Sequence, residues 1–326
     1  MWYTSLSAKL GLEYSPEIQK RSTNVPRMQI IVNPAAGAGK TAKKWPQIME
    51  LLRSLGLDFK HDLTEAPGHA IELAKAAVKK GYKFVVSVGG DGTIHEIVNG
   101  LYEAGASSDV TVGIVNTGTG ADYIRTLGVP RRYKDACKCL LSPNRRTVDL
   151  GVVEYMKNGK REKRLFVNFA GIGFDAEVVK ATTEKFKAMG DMPSYLMGLF
   201  STLMSYENRD VSIIIDGKSG VRRICTIMLN HGRYAGGGMM PAPNADPGDG
   251  FFDMVIIDDI TKPDLIMSIP RIYRGTHLTH PKVTLMRARE VEITPTLASA
   301  VQADGELLGE APARFSVLPA ALQVIV

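Results

Sequence analysis

The stretch SVGGDGTIHEIVNGL, residues 87–101, ends an apolar run in two glycines, an aspartate, a third glycine and a threonine before helical spacing begins. Glycine loses more conformational freedom on folding than any other residue, so three of them at one strand-to-helix junction need a reason. Close approach supplies it. With no side chains in the way, main-chain N–H groups can meet an anion, and the helix that follows adds a favourable dipole.

Working outward, the same device recurs. MQIIVN (28–33) reads as a buried strand that runs into NPAAGAGKT (33–41), and VTVGIV (110–115) runs into NTGTGAD (116–122). Between these lie helical patterns at 41–56, 67–81 and 93–105 and further strands at 59–63 and 83–88, with Pro67 opening and Gly81 closing the second helix. Strand and helix in alternation predict a parallel, doubly wound sheet, on which ligands sit at the C-terminal strand ends. All three glycine-rich loops then share one edge and predict a phosphate-binding rim. Gly39, Lys40 and Thr41 match the end of a P-loop, but Pro34 stands where its leading glycine belongs. The dinucleotide fingerprint GxGxxG is missing after the first strand, which argues against a nicotinamide oxidoreductase.

Past about residue 145 the texture changes to strands joined by turn signals, as in VDLGVVEYMKNGKREKRLFVNFAG and DVSIIIDGKSGVRRICTIMLN, which predict antiparallel hairpins. Helices are expected at 174–189 and 193–206. Residues 1–27 read as a weakly ordered extension, 28–146 as an α/β domain and 147–314 as a β-rich domain. A chain of 326 residues is longer than one hydrophobic core usually grows, in keeping with two domains.

The net charge of +6 suits an anionic partner such as a nucleotide or an acidic membrane face. Its basic residues fall in short clusters (131–132, 145–146, 160–164) without interleaved aromatics, which argues against nucleic acid. Cys137, Cys139 and Cys225 fit neither a zinc spacing nor a disulfide framework, so a cytoplasmic setting is expected. No apolar run is long enough to span a bilayer, and the first residues lack a signal-peptide pattern. A homodimer stays open.

Two acidic segments stand out in the second half. ADGE (303–306) sets Asp304 and Glu306 on either side of a glycine, where partial burial would raise one carboxyl toward the range of a general base; it is equally an ordinary hairpin turn. DPGDGFFD (246–253) carries Asp246, Asp249 and Asp253 in a run that misses the EF-hand pattern.

Taken in order, IVNPAAGAGK, SVGGDGTIHEIVNGL, GTGADYIRTLG, VDLG, NFAGIGFDAEVV, APNADPGDGFFDMVII and ADGELLGE resemble the segments of the diacylglycerol kinase catalytic domain family, above all the soluble bacterial lipid kinases, over about residues 28–326. GGDGT is shared with NAD kinases, whereas the ordered set is far more specific. The resemblance implies an N-terminal doubly wound nucleotide-binding domain followed by a β-rich, sandwich-like domain, with residues 315–326 returning to the first. It implies a kinase that uses ATP and Mg2+ to phosphorylate a lipid hydroxyl at a membrane surface. Nucleotide contacts carry over onto Asn33, Pro34, Ala35, Ala36, Gly37, Thr64, Gly89, Gly90, Asp91, Gly92, Thr93 and Thr119; Thr64 could equally cap a helix ahead of Pro67.

By the same resemblance Glu306 is the base and Asp304 its support. Magnesium would be held by Asp249 and the carbonyls of Asp246 and Phe251, with Asp91, Asp122 and Asp149 joining through water and a second magnesium arriving with ATP. The helical stripe Tyr195, Leu196, Leu199, Phe200, Leu203 and Met204 would be either core or the wall of a slot for acyl or isoprenoid chains, and 231–244 a mobile lip. One departure matters: where the family reads GTxND, this chain has Ala121 before Asp122, so nucleotide affinity or base preference would differ. The alternatives are an NAD kinase-like enzyme and a nucleotide-regulated lipid-binding protein without turnover.

Overall fold

The computed structural model describes residues 27–186 and 191–326; most of the expected extension at 1–27 lies outside them. The first half runs β1 (Met28–Val32), α1 (Lys40–Ser54), β2 (Phe59–Leu63), α2 (His69–Lys79), β3 (Phe84–Gly89), α3 (Asp91–Glu103), β4 (Thr111–Asn116), α4 (Asp122–Leu127) and α5 (Tyr133–Cys139). β1 pairs in parallel with β2 and β3, and β3 with β4. Every residue of β1, β3 and β4 is buried, as a sheet covered on both faces requires. On one face α2 and α3 bring Ala70, Ala74, Ile97 and Leu101 onto the strands. On the other, α1 and α5 bring Trp45, Ile48, Leu52 and Cys137.

The second half runs β5 (Arg145–Lys157), β6 (Lys160–Phe166), β7 (Phe169–Gly173), α6 (Phe174–Ala181), a π-helical turn (Thr182–Phe186), α7 (Asp191–Ser205), β8 (Arg209–Ile215), β9 (Lys218–Asn230), β10 (Phe252–Asp258), α8 (Lys262–Ile272), a 3-10 turn (Thr276–Thr279), β11 (Val283–Ala288), β12 (Glu290–Pro295), β13 (Ala300–Ala303) and β14 (Glu306–Ile325). Three of its hairpins turn on Asn158-Gly159, Asp216-Gly217 and Asp304-Gly305, with positive φ at both central residues. That geometry matches strand twist and explains these dipeptides. The strands enclose a core of residues such as Ile172, Ile227, Phe252, Val291 and Phe315.

The twenty residues of β14 join the halves. Along most of its length it pairs antiparallel with β5, and at Gln323 and Val324 it lies parallel beside β4.

Most helix boundaries fall within two residues of expectation, and two differences have a visible cause. The helix expected at 174–189 is α-helical only to Ala181; there α7 presses in so closely that a Cβ on Gly198 would lie 2.2 Å from Thr182 Oγ1. Residues 187–190 lie outside the description. α2 begins at His69, behind Gly68, and Thr64 is no helix cap: its N–H continues the β1–β2 pairing by donating to Val32 O at 2.8 Å.

Candidate active site

The parallel pairing puts the C-terminal ends of β1, β3 and β4 on one edge, and their loops touch. Thr41 and Thr117 hydroxyls are 2.6 Å apart, and Asn33 Nδ2 donates to Thr93 Oγ1 at 3.1 Å. A Cβ on Gly37 would lie 2.7 Å from Thr117 O, and one on Gly89 2.3 Å from Thr93 Oγ1, so glycine is required at both positions. Around them opens a cavity of about 560 Å3. Asn33, Ala36, Gly37, Gly90, Asp91, Gly92, Thr93 and Thr119 line it; Pro34, Ala35, Thr64 and Gly89 do not.

Of the acids expected at magnesium, Asp91 and Asp122 face this cavity, which Glu96, Asp175 and Asp304 also line. Asp91 Oδ2 accepts from Asp122 N at 3.3 Å, while its Oδ1 is buried without a partner. Burial, then the Asp122 charge, pushes the Asp91 carboxyl up to about 6. Burial also raises Asp122, whose Oδ2 accepts from Gly237 N at 2.7 Å. That bond docks the glycine-rich segment at 231–244 onto the phosphate rim. An unpartnered buried carboxylate oxygen beside phosphate loops fits a cation that arrives with a nucleotide's phosphates.

The other acids expected at magnesium are elsewhere, and they do not fit one. Asp246 pairs with Arg146 and Asp249 with Arg287. Asp149 is spent on main-chain donors, Oδ1 on Ala320 N and Oδ2 on Gly250 N, both at 2.7 Å. Phe251 is covered by the Arg287 and Arg289 guanidiniums. Among the described residues no three His, Cys, Asp or Glu side chains form a metal-holding group. The six expected ligands therefore divide: Asp91 and Asp122 at the cavity, Asp246, Asp249 and Phe251 in an arginine-contacted loop, and Asp149 in β5 beside that loop.

Across the cavity stands the β13–β14 turn. The Asp304 carboxylate points inward, Oδ1 accepting from Asn168 N (2.9 Å) and Phe169 N (3.1 Å) and Oδ2 from Val167 N (2.8 Å). Asp304 thus fastens the turn to the β6–β7 connection. Glu306 is only part-buried and turns to the other side of the turn, where its Oε1 would lie 3.9 Å from a Cβ on Gly92 of the GGDGT loop. The two acids do not share one carboxyl site.

Sequence reasoning passed over two residues of the opening stretch. Glu96 caps α2, Oε1 accepting from Gly68 N (2.9 Å) and Oε2 from Ala70 N (3.1 Å). His95 is fully buried behind the turn, with Nδ1 2.8 Å from Asp304 Oδ2. Asn99 holds this helix in place, donating to Leu165 O at 3.1 Å and accepting from Leu165 N at 2.9 Å.

One wall of the cavity turns apolar. Tyr195, Met228, Ala235 and Met239 also bound a second, almost wholly apolar slot between α6, α7 and α8, lined further by Leu199, Leu265 and Ile272. Asp175 sits at the junction. Its Oδ1 accepts from Thr226 Oγ1 (2.5 Å) and its Oδ2 from Gln302 Nε2 (2.9 Å), and burial raises it.

A glycine-rich rim facing an acidic turn, on a doubly wound sheet joined to a β-rich half, has the parts that phosphoryl transfer asks for. The comparisons narrow it. Residues 27–153 match the diacylglycerol kinase catalytic domain, and residues 168–326 the YegS C-terminal NAD kinase beta sandwich-like domain. The chain is 30% identical to a diacylglycerol kinase of Bacillus subtilis over 89% of its own length and 92% of that protein's. It is 28% identical to one of Mycobacterium tuberculosis over 94% and 97%. A diacylglycerol kinase structure from Bacillus anthracis superposes with a TM-score of 0.69 at 23% identity, covering 93% of this chain and 97% of that one. Yeast NADH kinase shares the fold alone, with a TM-score of 0.50 at 10% identity over 93% and 83%. The chain belongs to the diacylglycerol kinase family, and it is a lipid kinase.

Proposed function

We propose that the chain transfers the γ-phosphoryl group of ATP to the hydroxyl of a lipid alcohol such as diacylglycerol. The observation that carries this reading is the shared wall: a glycine-rim cavity fit for phosphates has Tyr195, Met228, Ala235 and Met239 in common with an apolar slot, with Glu306 beside the GGDGT loop. A charged donor and a hydrocarbon acceptor could meet there and nowhere else among the described cavities.

Phosphoryl transfer asks for positioning and charge neutralisation more than covalent chemistry. Main-chain N–H groups of the three loops would cradle the phosphates. Asp91 and Asp122 would hold the magnesium ion that accompanies them, which supplies charge neutralisation. Glu306 would take the acceptor's hydroxyl proton, and Asp304 keeps its turn rigid. The acceptor's chains would lie between α7 and α8.

The same helices support a peripheral association with the cytoplasmic membrane face. Their outer sides expose Phe200 (60%), Met204 (63%) and Met267 (74%), while Lys262, Arg271 and Arg274 of α8 and its end form no ion pair among the described residues. An apolar face flanked by cations fits an anionic interface. No helix among the described residues is long and apolar enough to cross a membrane.

Labelled ATP, magnesium and a panel of lipid alcohols in mixed micelles test the proposal. Label should enter a lipid product; label entering NAD instead, or no product at all, would reject it.

A further inference from the structure

His95 is one turn into α3 and has no exposed surface, yet both ring nitrogens face charged groups. Nδ1 is 2.8 Å from Asp304 Oδ2. On the other side Arg164 Nε donates to Nε2 at 3.2 Å, and Glu306 Oε2 is 3.6 Å from the same nitrogen. A guanidinium can only donate, so an Nε2 that accepts from it belongs to a neutral ring whose proton sits on Nδ1 and goes to Asp304. Protonating the ring makes both nitrogens donors. Nε2 then repels Arg164 and has Glu306 as its acceptor.

We infer that His95 is the positioning residue of Glu306: neutral, it leaves the carboxylate, whose Oε2 is 3.8 Å from Arg164 Nη2, able to receive the acceptor's proton, and protonated, it adds a second ion pair to Glu306 and withdraws that base. The inference rests on the reading of Glu306 given above. In the step served, the acceptor oxygen bonds to the γ-phosphorus as the bond to the bridging oxygen of the β-phosphate breaks. The nucleoside diphosphate leaves, and the hydroxyl proton passes to a Glu306 oxygen. His95 touches neither substrate.

The groups facing the ring are Asp304 of the hairpin turn, Glu306 of β14 and Arg164 of β6; Tyr155 of β5, which also faces Glu306 and Arg164, donates to Glu162 at 3.1 Å. Burial disfavours the charged ring, but Asp304, by hydrogen bond and charge, and Glu306 outweigh it against the opposition of Arg164, so its pKa is raised. This polar trio is held from three directions: α3 by Asn99, the turn by Asp304, and Arg164 by its place in β6.

The test compares kcat–pH profiles of the wild type, His95→Asn and Glu306→Gln with full-length protein. For His95→Asn the expected result is a kcat lowered about 10- to 100-fold at the optimum, unchanged nucleotide KM, and an acid limb displaced by roughly one pH unit or more. A kcat lowered by the same factor at every pH, with the limb in place, would show a merely structural histidine and overturn the inference. Should His95→Asn not fold, nitrogen NMR of histidine-labelled wild type and Glu306→Gln decides. The wild-type ring should carry its neutral proton on Nδ1, and its titration midpoint should fall in Glu306→Gln; an identical midpoint overturns the inference. Full activity in Glu306→Gln would instead strike down the base assignment itself.

Discussion

Gly118 and Gly90 meet main chain to main chain: a methyl group on Gly118 would lie 2.6 Å from Gly90 Cα. The third glycine loop is thereby pressed against the second, and the phosphate rim has one fixed width. Gly118→Ala should force the loops apart, weakening ATP binding about tenfold or more and costing about 1–3 kcal/mol in stability. Calorimetry of nucleotide binding and urea unfolding would check both.

The two acids of the DGE turn should separate in their effects. Asp304→Asn turns one acceptor oxygen into a donor that faces main-chain N–H groups, and should cost about 1–3 kcal/mol in stability. Glu306→Gln, at a half-exposed position, should leave stability within about 0.5 kcal/mol while kcat falls about 100- to 10,000-fold. Equal loss of stability in both variants would contradict the division of labour.

Ala121 has φ +58°, a left-handed conformation that disfavours an L side chain by roughly 1 kcal/mol or more. The asparagine usual in the family's GTxND segment tolerates that conformation better, which gives this departure a physical cost. Ala121→Gly should raise the unfolding free energy by about 0.5–1 kcal/mol, read from urea titration.

Leu199 lines the apolar slot from α7. Leu199→Trp should shorten the space for hydrocarbon, so that kcat/KM for long-chain acceptors falls about tenfold or more relative to short-chain ones. An equal loss on both would place the chains elsewhere.

His231 is packed between Phe166 and Phe252, and burial lowers its imidazole to about 4 from an ordinary 6.5. As pH falls below about 6.5 the unfolded chain takes the proton and the folded chain does not, so stability drains away down to about pH 4. Between pH 7.5 and 4.5 the wild type should lose about 2–3 kcal/mol more than His231→Phe, measured by unfolding at each pH.

Much of this site could be read from local sequence because its signals are local. Glycines after buried strands announce a rim, and Asn-Gly and Asp-Gly pairs announce hairpins. What stayed hidden depends on distant partners. Nothing in the sequence singles out His95, because the Asp304 turn that closes over it is 209 residues away. The resemblance assigns the acids of 246–249 to magnesium, and nothing in their spacing reveals Arg146, 100 residues earlier, or Arg287, 38 residues later. The buried Asp175 is invisible for the same reason: Thr226 and Gln302 reach it from other strands.

β14 and β5 run side by side from the β-rich half into the nucleotide-binding half, and Asp149 pins the irregular register near Ala320. A hinge between the halves would have to tear that double ladder, at the cost of many hydrogen bonds at once. Opening and closing are therefore tasks for the parts hung on this frame: the glycine segment tethered through Gly237 to Asp122, and the helices that roof the slot. A molecule so framed would open as a door against a fixed jamb, not as two jaws.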